Sequence, residues 1–409
     1  MAVIQRVTGR EILNARGKPT VEAKVFTSDG HVAVASVPSG TSRGKYEAHE
    51  LYDGGSRYGG YGARRAAANV SGEINDALRG MDVTDQRAID AKLIALDGTA
   101  NKERLGGNAI LAASVAAAKA GAMARGIPLY DALEGGKRTL PDVVATVIAG
   151  GEFSTSGLEF EDYLYIFHGF TRFDEMLEAL VILRKTLEKR LREKYGDFPE
   201  DGGALAAPLS STAEAFETMM AVARECGFES HVTLGLDVAA SELLNPETGC
   251  YKVSGREMTV EELSDYYVEL CGRYPLTFLE DPFGQDDFEA YTALKKRIPG
   301  RQLIGDDLFV TNVERLKTGI EKDCANGILL KINQIGTVTE AIDASTMAQK
   351  NGMDVTVSLR SGETTDDFIA DLAVAIGARQ IKLGSPVRAE RNAKYNRLLE
   401  IEQELIGDN

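Results

Sequence analysis

From Pro141 onward the chain alternates between short apolar runs and helical stretches, and this alternation limits the fold more than any other feature. VTLGLDVA, LTFLEDPF, QLIGDDLF, GILLKINQIG, DVTVSLRSGET and QIKLGS each read as a buried strand that ends in polar or charged residues. Between them lie stretches such as VEELSDYYVELCGRY and TEAIDASTMAQKNG, whose apolar residues recur at helical spacing. Strand–helix alternation sustained over roughly 270 residues predicts a β/α barrel. In such a barrel the chemistry sits at the C-terminal ends of the strands. Asp237, Glu280, Asp306, Lys331, Arg360 and Lys382 all fall at those ends.

The N-terminal part has a different pattern. VIQRVTGREIL, TVEAKVFTS and HVAVASVP are β-rich pieces separated by turn residues, which predicts an antiparallel meander. A Gly-rich segment follows, read as a mobile loop, and then helices, the clearest running from Asn108 to Gly126. The expected division is an α+β capping domain over residues 1–135, with a mobile loop at 38–44, and a barrel over 136–409.

With 62 acidic against 46 basic residues the net charge is −16, which disfavours a phosphate-backbone partner and excludes nucleic acid as the expected ligand. Cys226, Cys250, Cys271 and Cys324 lack the CxxC spacing of a zinc site. The N-terminus lacks a signal-peptide pattern and no apolar run approaches ~20 residues, so a cytoplasmic protein without membrane spans is expected.

Asp237, Glu280 and Asp306 on successive strands would repel one another unless a cation neutralised them. All-oxygen ligation by hard carboxylates favours Mg²⁺. The competing reading makes each a helix cap or a surface carboxylate. Lys331 and Lys382 suit a general base or an anion clamp, because burial disfavours the charged amine; a salt bridge to the carboxylates is the alternative. PEDGGALAAP, Pro199 to Pro208, reads on pattern alone as a surface turn. Within SLRSGET, Arg360 and Ser361 suit a phosphate, while Leu359 can do no acid, base or ligand chemistry.

GREILNARGKPTVEAKV, LDGTANKERLGGNAILAASVA, GDDLFVTN, LLKINQIG, LRSGET and IKLGSPVRAERNAKYNRLLEIEQEL together resemble the enolase family over nearly the whole chain. The resemblance implies an eight-stranded β/α barrel capped by an α+β domain, usually in a homodimer or higher oligomer. It implies that Asp237, Glu280 and Asp306 hold one Mg²⁺ and that Ser42 binds a second when substrate is present. By the same resemblance Arg360 and Ser361 hold the phosphate of a phosphorylated carboxylate substrate, Lys382 binds its carboxylate, and Lys331 removes the proton beside it. Two Mg²⁺ ions then stabilise an enolate.

Several positions depart from the family pattern. Leu359 and Phe153 stand where the family has histidines, and Arg43 where it has Ser or Thr. Asp162 and Asp201 stand where it has the glutamates of the acid end. Each Glu-to-Asp change withdraws a carboxyl by about 1.5 Å, a misplacement that can cost roughly a hundredfold in rate. The altered acid and phosphate ends resemble carboxyphosphonoenolpyruvate synthase of phosphinothricin-type phosphonate biosynthesis. The expected activity is therefore the joining of a phosphonoformate-type second substrate to an enolpyruvate unit. The alternatives are an ordinary 2-phosphoglycerate dehydratase working with Asp162 and Asp201, and a non-catalytic binding protein on the same fold.

Overall fold

The computed structural model describes residues 2–40, 44–151 and 154–407. Ser42, Arg43 and Phe153 lie outside the described residues. The chain opens with a three-stranded antiparallel meander, Ile4–Leu13, Pro19–Thr27 and Val32–Ser36. Its inner face, including Val21, Ala23, Val25, Ala33 and Ala35, is buried against the Ala-rich helix Gly107–Arg125. That helix ends where Gly126 takes the left-handed conformation at φ 63°, a stop that glycine makes without a Cβ clash. It is long and apolar enough to cross a membrane, contrary to the reading that no such run exists, but 83% of its apolar window is buried inside the protein.

Eight strands close into a barrel: Asp142–Ala149, Asp162–Phe167, Val232–Asp237, Leu276–Glu280, Gln302–Gly305, Gly327–Leu330, Asp354–Ser358 and Gln380–Lys382, the last pairing back to the first. The expected fold class holds. The six strands named from the sequence are present; Asp142–Ala149 and Asp162–Phe167 precede them and were not among those named. Val144, Leu164, Ile166, Phe278, Ile304 and Leu329 fill the centre as a separate apolar cluster, so the barrel is packed and not a pore.

Simple strand–helix alternation misses one feature. Asp162–Phe167 runs antiparallel to both neighbours, whereas the other neighbouring barrel strands pair parallel. Its first residue, Asp162, is in register with Ala149 and with Asp237. The N-terminal end of this strand therefore lies at the mouth with the C-terminal ends of its neighbours.

Candidate active site

Asp237 and Glu280 end adjacent parallel strands and face each other in register. Asp306 follows the next strand. All three are buried, Glu280 completely. Lys382 Nζ lies 2.7 Å from Asp237 Oδ2, 2.8 Å from Glu280 Oε2 and 3.5 Å from Asp162 Oδ2. Lys331 Nζ pairs with Asp306 Oδ2, whose other oxygen accepts from Gln334 Nε2 at 2.8 Å.

Charge balance explains the titration of these groups. Burial pushes Glu280 well above the usual carboxylate range and the Asp237 charge adds to it. Asp162 is raised by burial, against which Lys382 acts. Burial would raise Asp306, but Lys331, Arg360 and the Gln334 hydrogen bond together hold it low. Lys331 moves the opposite way from the sequence expectation. Burial lowers its proton affinity, but the neighbouring carboxylates, Asp306 first and then Glu280, together turn the net shift upward.

The donor set fits a hard divalent cation. Three carboxylates on neighbouring strands supply oxygen only, and Glu280 Oε1 is buried with no hydrogen-bond partner among the described residues. A second cluster, Asp281, Asp306 and Asp307, also brings carboxylate oxygens within 4.8 Å of one another. Asp281 is already committed there. It accepts from Asp306 N at 2.9 Å, Asp307 N at 2.7 Å and Tyr291 Oη at 2.9 Å, which makes it a brace for the turn.

The SLRSGET loop is fixed from two sides. Glu363 accepts from Arg360 N at 3.0 Å and from Lys394 Nζ at 2.7 Å. Gly362 and Ser39 of the capping domain exchange backbone hydrogen bonds at 2.9 Å each way. A Cβ at Gly362 would lie 2.6 Å from Ser39 O and from Asn14 Nδ2, so only glycine permits this approach. Arg360, 5% exposed, donates to Glu47 at 2.9 and 3.2 Å and to Asn333 Oδ1 at 3.1 Å. Leu359 is buried in the core while still lining the pocket.

PEDGGALAAP is not a plain surface turn. Glu200–Asp201 and Ala204–Leu205 form a small hairpin attached to the first barrel strand through Leu205 and Ile148. The hairpin turns at Gly202 and Gly203, both at positive φ. Arg16 Nη2 of the capping domain holds Asp201 Oδ1 at 2.8 Å.

One cavity of about 110 Å³ is lined by Asp162, Asp201, Asp237, Lys331, Leu359, Arg360, Ser361 and Lys382. Glu280 and Asp306 lie directly behind the two lysines. Glu161, Arg16 and Arg391 also line it and were not picked out from the sequence, nor was Glu47. Glu161 sits beside Asp162 at the start of the reversed strand; burial, then Asp237, pushes its carboxyl well up. Of these, only the position of Glu161 next to a singled-out residue carried a signal.

The family description "Enolase, N-terminal domain" matches residues 4–133, and "Enolase, C-terminal TIM barrel domain" matches residues 137–409. The chain is 46% identical to the enolase of Methanopyrus kandleri, covering 100% of this chain and 97% of that protein. It is 48% identical to the enolase of Rubrobacter xylanophilus, covering 99% and 96%. It is 47% identical to the enolase of Pyrococcus furiosus, covering 98% and 95%.

These relatives overturn the expectation of a carboxyphosphonoenolpyruvate synthase, and with it the phosphonate-pathway assignment and the phosphonoformate co-substrate. Full-length relatives at this identity carry the name enolase. The enolases use Mg²⁺, with two ions when substrate is bound. With both domain descriptions matched and relatives aligned end to end, the chain belongs to the enolase family, lyases that work through a metal-stabilised enolate.

Proposed function

We propose that this chain is a 2-phosphoglycerate dehydratase that produces phosphoenolpyruvate. The observation that carries the reading is the convergence on one small cavity of two lysines, the Asp162 and Asp201 carboxyls and the Arg360–Ser361 pair. Arg360 and Ser361 receive the phosphate, and Lys382 the carboxylate. Lys331 Nζ takes the C2 proton. It acts only as the free amine, so its ion pair with Asp306 has to open first. Asp201 and Asp162 serve the acid end, where the C3 hydroxyl leaves as water. Leu359 gives the phosphate end an apolar wall.

Asp237, Glu280 and Asp306 would hold one Mg²⁺ and Ser42 the second. When bound, the ions supply stabilisation of the dianionic enolate. The chain acts in the cytoplasm as a homodimer or higher oligomer; Leu13, Val32 and Val34 leave apolar side chains exposed on the N-terminal sheet, as a self-association surface would.

Phosphorus NMR of the purified protein with Mg²⁺ and 2-phosphoglycerate tests the reaction. A phosphoenolpyruvate resonance growing without any co-substrate is expected. An unchanged spectrum would overturn the reading. Sedimentation equilibrium tests the assembly, and a monomer at micromolar concentration would rule out the dimer.

A further inference from the structure

Arg391 is a buried cation with almost nothing to bind. It lies in the first turn of the C-terminal helix Ala389–Gly407 and is 8% exposed. Its hydrogen bonding to described residues is a single long contact, from Nη1 to Leu383 O at 3.4 Å. Nε is buried with no partner among the described residues, and no described carboxylate forms an ion pair with it. A guanidinium offers five N–H donors, and a buried charge left in this state is costly unless something else completes it.

Its surroundings show where a partner would sit. The guanidinium occupies a slot between two glycine backbones. A Cβ on Gly384 would lie 1.9 Å from Nη1, and one on Gly202 would lie 2.4 Å from Nη2. Gly202 directly follows Asp201. Arg391, Gly202, Gly384, Asp201 and Asp162 all line the substrate cavity. The unfilled donors are therefore on the acid side of the site. The cavity's other guanidiniums are engaged: Arg360 by Glu47 and Asn333, and Arg16 by Asp201 and Ser361 O.

We propose that Arg391 is a catalytic residue of the elimination, its N–H groups holding the oxygen that departs from C3. The inference rests on the dehydratase reading above. In the step, the C3–O bond breaks and its electron pair goes to oxygen. That oxygen takes one proton from the acid-end carboxyl and leaves as water, while the pair left at C2 by proton removal forms the C2–C3 double bond. Negative charge grows on the oxygen before the proton has fully arrived. A fixed cationic donor aimed at that position stabilises the transition state more than the ground state. The two glycines leave room for the guanidinium that any side chain there would take away.

The test separates proton removal from elimination. Exchange of the C2 hydrogen of 2-phosphoglycerate with D₂O, followed by proton NMR, reports Lys331 alone. Phosphoenolpyruvate formation reports the whole reaction. R391Q is expected to keep exchange within about threefold of the unaltered protein, while product formation falls about a hundredfold or more, the loss typical of removing one such donor. R391K, which restores a charge without the fork, is expected to recover part of the product rate.

Equal loss of both activities would mean that Arg391 only supports the fold and would overturn the proposal, as would no loss of either. Should R391Q fail to fold, R391K carries the same comparison: a product-to-exchange ratio lowered about tenfold supports the role, and an unchanged ratio overturns it. If the unaltered protein gives neither exchange nor product, the dehydratase reading itself fails, a result distinct from any that concerns Arg391.

Discussion

Arg16 of the N-terminal domain reaches over the barrel mouth to Asp201, its Nη2 2.8 Å from Oδ1, while its Nε donates to Ser361 O at 3.3 Å. One side chain thus ties the acid hairpin to the phosphate loop. Both partners are about a third exposed, at 40% and 30%, so the pair adds little to stability and its effect lies in placement. Arg16→Met is expected to lower kcat by roughly ten- to a hundredfold, the cost of a small misplacement. The melting temperature should hardly move. Steady-state kinetics and a thermal melt check this, and an unchanged kcat would remove Arg16 from the mechanism.

Lys331→Ala removes the base and also the charge facing Asp306. Exchange at C2 and product formation should both fall at least about a thousandfold. Mg²⁺ binding should persist, because Asp306 keeps its carboxylate and loses a competitor for it. Isothermal titration with Mg²⁺ and the deuterium-exchange assay read the two effects separately.

Glu280→Gln addresses the metal site. Glu280 is fully buried, with one oxygen on Lys382 and the other without a hydrogen-bond partner among the described residues. In chelator the variant should fold and melt close to the unaltered protein, since burial and Asp237 already disfavour the Glu280 charge. The gain in stability from Mg²⁺, about 2.7 kcal/mol at a hundredfold excess over Kd, should be lost. Thermal melts with and without Mg²⁺ give the comparison.

Burial, with Asp306 adding to it, pushes the Asp307 carboxyl up to about 7. From the ordinary carboxylate range near ~4 up to that value, the folded protein holds a proton that the unfolded chain has released. Stability in chelator should therefore fall as pH rises through this window and level off above it. Asp307→Asn should flatten that slope, as melting temperature against pH will show. A slope identical in the variant would place its origin in other carboxyls.

Most of the barrel was legible because each strand ended in a residue that apolar packing could not explain. Asp237, Glu280 and Lys382 stood out in that way, and they meet in space. The reversed strand was not legible. Asp162–Phe167 has the same apolar character as its parallel neighbours, and direction depends on connections that composition does not record. Leu359 shows the opposite kind of error. Together with the other departures it was read as a sign of altered chemistry, yet the leucine is a buried core residue. Arg16, Glu47 and Arg391 stayed hidden among many charged residues, because which of them points inward is decided by tertiary packing alone.

The backward strand also changes how this barrel can be re-engineered. In an all-parallel barrel, grafting a new segment after any strand alters the chemistry, and grafting before it alters only the foundation. Here the rule inverts at one place. Residues 154–161 lead into Asp162 at the mouth, so a graft there rewrites the reaction. The segment after Phe167, where His168 N donates to His231 O at 3.1 Å, lies at the opposite end and can accept foreign sequence at the expense of rigidity alone.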